Sequence, residues 1–169
     1  MLPEVKKIRV EFSKTGALKY ISHLDLNRTM QNVFLRSKLP IVYSQGFNPH
    51  PKTVFSPPLS VGVSSECEFI DFKMTEDVPY DVICRRLNES FPEGLRALSA
   101  YEPESKFSDI GWADYEIAFE TPAATDLEGE VVEALSGEIT VEKTGKAGTY
   151  EFNISENMRL LSCRAENGM

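Results

Sequence analysis

The hydrophobic residues of the first hundred positions switch repeatedly between a period of two and a helical period, and that order constrains the fold more than any other feature of the chain. Ile8, Val10 and Phe12 alternate with Arg9 and Glu11, as a half-buried strand requires. Leu26, Met30, Val33 and Phe34 then recur at helical spacing. Ser22 precedes that stretch with Asp25 three residues on, close to a capping box with Asp in place of Glu. Asp25 and Arg28 stand at i,i+3 on its polar side. Pro40 forces Leu39 out of the helical region, so the pattern predicts a helix over residues 22–38. Residues 41–43 follow as a short strand. Residues 45–51 form a loop punctuated by Gly46, Pro49 and Pro51, and residues 53–55 resume extended structure before Pro57 and Pro58. Residues 60–65 are small and read as a flexible connection. Ile70, Phe72 and Met74 alternate again, Asp77 and Pro79 mark a helix start, and Ile83, Leu87 and Phe91 repeat at i, i+4, i+8. Pro92 and Gly94 stop that helix, and residues 95–101 read as a last strand.

The order is β-α-β-β-α-β. It predicts an α+β protein whose residues 1–104 form a ferredoxin-like unit, four antiparallel strands with two helices on one face. The polar residues 102–111 break the pattern. Beyond them Tyr115, Ile117 and Phe119 alternate, and Thr125 with Glu128 makes a capping box ahead of Leu127, Val131 and Leu135, which Gly137 ends. Ile139 and Val141, then Tyr150, Phe152 and Ile154, alternate on either side of a turn at residues 144–148. Residues 159–164 supply a short final strand. Residues 105–169 are therefore expected to form a second, partial ferredoxin-like β-α-β-β(-β) half.

Charge is distributed unevenly. The net charge is −8, yet residues 1–60 carry nine Lys and Arg against three acids, or +6, while the other 109 carry nine against 23, or −14. Such asymmetry points to an opening third that faces a polyanion or an acidic partner. No apolar run is long enough to span a bilayer and there is no secretory leader pattern, so a cytoplasmic protein without membrane contact is expected. Cys67, Cys84 and Cys163 are odd in number and widely spaced, which suggests buried reduced thiols rather than a disulfide frame. Zinc-ribbon, iron–sulfur, Walker, Rossmann and G-x-S-x-G patterns are all absent, so the sequence predicts no cofactor.

Residues 20–52 hold both histidines and much of the positive charge. His23 falls in the first turn of the capped helix, where free N–H groups and the positive dipole end favour a phosphate; Tyr20, Ser22 and Asp25 add polar groups beside it. His50 lies between two prolines that restrict its backbone, with Lys52 following, which suits contact with an anion or acid–base chemistry near neutral pH. Two histidines without a third ligand make a poor zinc site, so no metal is assigned. A ferredoxin-like unit places the two histidine segments at opposite ends unless the loop folds back. Tyr20, Tyr43, Phe47 and Phe55 are interleaved with basic residues, the combination that single-stranded RNA recognition uses. Strand aromatics are mostly core, so at least two of the four are expected to be buried, and Phe47 is the best candidate for an exposed ring.

The motifs Tyr20-Ile21-Ser22-His23-Leu24-Asp25 and Tyr43-Ser44-Gln45-Gly46-Phe47-Asn48-Pro49-His50-Pro51-Lys52 resemble those of the bacterial radical SAM-linked protein family. Its members are fused to, or encoded beside, B12-type radical SAM proteins. The resemblance is strongest over the first 65 residues or so, continues to about residue 164, and implies a longer C-terminal part than this sequence contains. It implies a radical SAM partner and no established activity. At the level of fold the pattern is also remotely similar to the repeat-associated RNA-binding proteins of CRISPR systems. The resulting expectation is an accessory module that binds tRNA or rRNA, with no DNA partner. In it Arg28, Arg36, Lys38 and Lys52 contact phosphate, Tyr43 and Phe47 stack on bases, and Tyr20, Ser22 and Asn48 complete the surface with His23 and His50. Two alternatives stay open: an RNA-processing or RNA-modifying enzyme with His23 and His50 as the catalytic pair, and a docking module for the radical SAM protein.

Overall fold

The computed structural model describes residues 5–119, 127–145 and 148–164. The chain divides into two compact units, Met1–Ala113 and Asp114–Met169. The first unit follows β1 (Lys6–Lys14), α1 (His23–Ser37), β2 (Val54–Phe55), β3 (Ser65–Met74), α2 (Tyr80–Asn88) and β4 (Leu95–Tyr101). Its strands form one four-stranded sheet in the order β2-β3-β1-β4, and every pairing is antiparallel.

The alternation in β1 and β3 sets the inward face. Ile8, Val10 and Phe12 from β1 and Ile70, Phe72 and Met74 from β3 are almost wholly buried, with Leu26, Met30, Val33 and Phe34 from α1 and Ile83 and Leu87 from α2 packed into the same core. The Phe34 and Phe72 rings meet edge-on at 4.9 Å between centroids. Each such side chain contributes about 1.5–3 kcal/mol through apolar burial. Helix α1 starts where its cap dictates: the Asp25 amide donates to Ser22 Oγ at 3.1 Å. The reciprocal bond is made between side chains, with Ser22 Oγ donating to Asp25 Oδ2 at 2.7 Å. At the other end Lys38 adopts a left-handed conformation (φ 53°) ahead of Leu39 and Pro40.

Several expectations change. Residues 41–43 do not form a strand of their own. Ile41 bridges Met74, Val42 donates its N–H to Lys73 O at 2.8 Å, and Tyr43 bridges Pro51; the paired strand is Val54–Phe55. Proline at 40, 49 and 51 denies this stretch a continuous run of donors, so the edge of the sheet is covered in pieces. Residues 60–65 are tied down, since Gly62 N–H donates to Lys19 O at 2.7 Å. Pro79, not Asp77, occupies the N-cap of α2, which begins at Tyr80, and Asp77 accepts from Lys6 Nζ at 2.8 Å. Gly94 has φ 93° and a Cβ there would lie 2.7 Å from Thr15 O, so only glycine fits the turn into β4.

The outer face of the sheet carries a buried ion pair. Arg9 and Asp71 are cross-strand partners; Arg9 Nε donates to Asp71 Oδ1 at 2.7 Å and Nη2 to Oδ2 at 3.0 Å. The same Nη2 donates to Ser105 O at 3.0 Å, and the guanidinium carbon lies 4.1 Å from the Phe107 ring centre. The chain after β4 therefore folds back over the sheet and covers Arg9.

In the second unit α3 (Leu127–Ser136) precedes a hairpin of β5 (Thr140–Gly145) and β6 (Gly148–Asn153), paired in register from Thr140↔Asn153 to Gly145↔Gly148. No described side chain of this unit is buried. The strands expected at residues 115–119 and 159–164 are absent among the described residues: Ile117 is exposed and nothing pairs with either segment. A period of two defines a face, but a strand needs a partner. Thr125, the expected cap of α3, lies outside the described residues. No helix among the described residues is long and apolar enough to cross a membrane. The three cysteines are free; Cys84 and Cys163 are half-buried and Cys67, contrary to expectation, is exposed.

Candidate functional site

The loop of residues 44–50 leaves the sheet edge and returns to it. Its base is closed by the Ser44 N–H donating to His50 O at 2.8 Å and by the Tyr43–Pro51 bridge. The His50 amide donates to Ser44 Oγ at 3.1 Å, while its Nδ1 lies 3.0 Å from Ser44 Oγ and 3.2 Å from Asn48 O. With Nδ1 held inside the loop, Nε2 is the ring nitrogen left to face outward. Gly46, at φ 133°, makes the turn that a side chain would strain. At the tip Phe47 is fully exposed, with Asn48 beside it. Proline-flanked, internally bonded loops present their side chains with little entropy left to lose, so this ring is offered to solvent by a fixed support.

Beneath the loop runs a groove of about 440 Å³, within the range of small-ligand sites. Its floor comes from the outer ends of β1 and β3, with Lys7, Asp71 and Lys73; Asn27 and Gln31 come from α1, and His50, Lys52 and Thr53 from the loop and its return. Lys7 and Lys73 stand directly opposite each other in the strand register. Like charges so placed cost about 0.2–1 kcal/mol. The acid here, Asp71, forms an ion pair with Lys7 Nζ at 3.1 Å but is already matched by Arg9. The groove is therefore net positive. Among the described residues the ammonium groups of Lys52 and Lys73 make no ion pair. Gln31 Nε2 donates to Asn27 Oδ1 at 3.3 Å, which leaves amide donors and acceptors for a base edge.

A second, smaller recess lies at the start of α1. It is lined by Ser22, His23 and Leu26, by Phe55 and Ser56, and by Lys14 and Glu68 from the sheet. The His23 ring stands edge-on to Phe55, 5.2 Å between centroids. Burial pushes the Glu68 carboxyl above the usual carboxylate range, while the Ser65 hydroxyl, Lys14 and His23 draw it back.

The two histidines thus line different recesses, neighbours along α1 and β2: His23 and Phe55 belong to one, Asn27 and Val54 to the other. Of the anticipated surface the structure brings His50 and Lys52 together, with Phe47 and Asn48 on the same loop. Tyr43 is half-buried against the core, as is Phe55, and Tyr20 is exposed with Lys19 Nζ 5.0 Å over its ring. Arg28, Arg36 and Lys38 line neither recess. Arg28 pairs with Asp25 at 3.2 Å, and that contact, after the Ser22 hydroxyl bond, holds Asp25 below the usual carboxylate range. Arg36 Nη2 donates to Ser90 O at 2.7 Å and ties α1 to the turn that follows α2. Lys7, Lys73, Asn27 and Gln31 were not anticipated; only the β1–β3 register unites the two lysines. Lys14 and Glu68 did leave a signal. Each extends an apolar alternation, Ile8-Val10-Phe12-Lys14 and Glu68-Ile70-Phe72-Met74, onto the inward face.

A search of curated proteins returns no match. The model of one family, described as an uncharacterized protein conserved in bacteria (DUF2344), matches residues 7–167, a span that takes in both units, the loop of residues 44–50 and both recesses. The chain belongs to that bacterial family.

Proposed function

We propose that the chain is an accessory RNA-binding module that holds single-stranded RNA along the groove beside His50. The observation that carries this reading is the Lys7–Lys73 cross-strand pair with Lys52 nearby, three cations gathered where the one acid is already matched by Arg9. Phosphates would run along these lysines, a base would stack on Phe47, and the Asn27 and Gln31 amides would meet a base edge. Arg28, Arg36 and Lys38, at other places on the surface, would contribute at most a diffuse field. Acid–base catalysis by His23 and His50 on one phosphodiester has less support, because the two rings line separate recesses.

The first unit is read as ferredoxin-like, supported by the order β2-β3-β1-β4 and by two helices packed into one core beneath the sheet. The second is read as a partial repeat of it, supported by a helix followed by a hairpin. A B12-type radical SAM protein as partner, and a cytoplasmic setting, rest on the motif resemblance and on composition.

The test is fluorescence anisotropy with a labelled single-stranded oligoribonucleotide across a salt series. Three phosphate contacts on a single strand give a log–log slope of about −2. Lys73→Gln should make the slope shallower by about 0.7. Phe47→Ala should weaken binding by the loss of about 1–3 kcal/mol of stacking and leave the slope unchanged. No binding at low salt, or a Lys73→Gln protein indistinguishable from wild type, would refute the proposal.

A further inference from the structure

The loop of residues 44–50 makes the two nitrogens of the His50 ring inequivalent. Nδ1 lies 3.2 Å from Asn48 O and 3.0 Å from Ser44 Oγ. A carbonyl oxygen only accepts, so the contact with Asn48 O is a hydrogen bond if Nδ1 carries the proton and a clash of lone pairs if it does not. Ser44 Oγ fits the same choice. It already accepts from the His50 amide at 3.1 Å, and its second lone pair takes a share of the Nδ1 proton. The hydrogen bonds of the loop thus assign the Nδ1–H tautomer to the neutral ring. Nε2 keeps a bare lone pair, and among the described residues it makes no hydrogen bond.

That lone pair stands in a groove of donors. Lys7, Lys52 and Lys73 line it with His50, and their ammonium groups offer N–H bonds alone. A phosphodiester suits the lysines and repels an unprotonated Nε2, since its oxygens also only accept. His50 and Lys52 flank Pro51, and the order exposed, buried, exposed sets both side chains on one side of an extended segment, about 7 Å apart along the backbone. The spacing is held at its base, where Ser44 N–H donates to His50 O at 2.8 Å and Lys52 N–H to Val42 O at 3.2 Å. An acceptor is thereby fixed a short reach from a cation that makes no ion pair. In a nucleic-acid strand the donor beside a phosphate is the ribose 2′-hydroxyl; deoxyribose has none, and the N–H groups of the bases lie beyond the sugar. We propose that His50 Nε2 accepts from a ribose 2′-hydroxyl whose neighbouring phosphate is held by Lys52, and that this contact is how the groove distinguishes RNA from single-stranded DNA. The inference rests on the groove being a site for single strands, and it names the group on the ligand that is read. Gln31 Oε1 is a second open acceptor in the groove, but it belongs to the α1 amide pair that meets a base edge.

Fluorescence anisotropy with three labelled single strands of one base sequence tests it: RNA, DNA, and a strand of 2′-fluoro-2′-deoxyribose. The fluoro strand keeps the sugar pucker of RNA and lacks the hydroxyl donor. Wild type should bind RNA about three- to tenfold more tightly than either of the others, the effect of one hydrogen bond. His50→Ala should bind all three alike, whereas Gln31→Ala should weaken all three together and keep the preference for RNA. A fluoro strand bound by wild type as tightly as RNA overturns the proposal. So does a preference for RNA that survives in His50→Ala, even where all three affinities fall together, since that pattern marks a residue that only supports the loop. The wild-type comparison needs no variant, so a loop disturbed by the substitution does not shelter the proposal. If no strand binds at low salt, the groove is not a nucleic-acid site and this inference falls with it. If wild type binds all three alike and the salt dependence is retained, the groove reading stands and this inference alone fails.

Discussion

Asp71→Asn is the substitution that tests the outer face of the sheet most directly. Asp71 is 4% exposed; its carboxylate accepts from Arg9 Nε at 2.7 Å and Arg9 Nη2 at 3.0 Å, and forms an ion pair with Lys7 Nζ at 3.1 Å. Asparagine keeps the shape but turns one acceptor into a donor and leaves the guanidinium without its counter-charge. Breaking a buried pair by neutralising one member costs about 3–5 kcal/mol. Arg9 keeps Ser105 O and the Phe107 ring, which places the expectation near the lower bound, about 3 kcal/mol. For a unit of this size that loss lowers the melting temperature by more than about 10 °C. Urea unfolding followed by far-ultraviolet circular dichroism measures it. Replacing both partners at once, Arg9→Met with Asp71→Leu, leaves no orphaned charge and should cost far less than the single change, about 1 kcal/mol or under. A single variant that loses less than about 1 kcal/mol, or a double variant as unstable as the single, would refute the reasoning. The same Asp71→Asn protein, where folded, should bind RNA more tightly, because the groove loses its acid.

Two further outcomes follow from the packing. The raised pKa of Glu68 means that the folded state binds its proton more readily than the unfolded chain does, so its contribution to stability is greatest below the ordinary carboxylate pKa and is lost as pH rises through the folded value. Glu68→Gln should therefore be more stable than wild type at neutral pH, with the difference shrinking as melts are taken toward pH 4; a constant difference would contradict this. Gly94→Ala drives a methyl group toward Thr15 O in a left-handed backbone and should cost at least about 1 kcal/mol in chemical unfolding; a neutral result would show that the turn can relax.

Much of the first unit is legible in the sequence, for identifiable reasons. The α1 face of Leu26, Met30, Val33 and Phe34, the Ser22 cap and the alternations of β1 and β3 are local patterns, and local patterns decide those elements. Phe47 at a glycine- and proline-bounded tip was legible too, because nothing in such a loop can bury it. Gathering is not local. Lys7 and Lys73 meet only through strand register, and Arg28, Arg36 and Lys38 scatter because α1 turns them away from the groove. Residues 115–119 alternate as cleanly as Ile8 to Phe12 and yet stay unpaired, since alternation carries no information about a partner. Lys14 and Glu68 resemble strand exits in the sequence, since a charge at the end of an apolar row normally marks the chain's passage into water, yet both are buried.

The broken cover of the sheet edge has a further consequence. Val42 meets β3 at Lys73 and Val54 meets it at Asp71, so everything between them departs from, and rejoins, adjacent stations of one rigid strand. Changes of length or sequence within residues 44–50 are insulated from the core by those two anchors. The segment behaves as an interchangeable cassette, whose tip can be rewritten for a different ligand while the platform underneath keeps its fold.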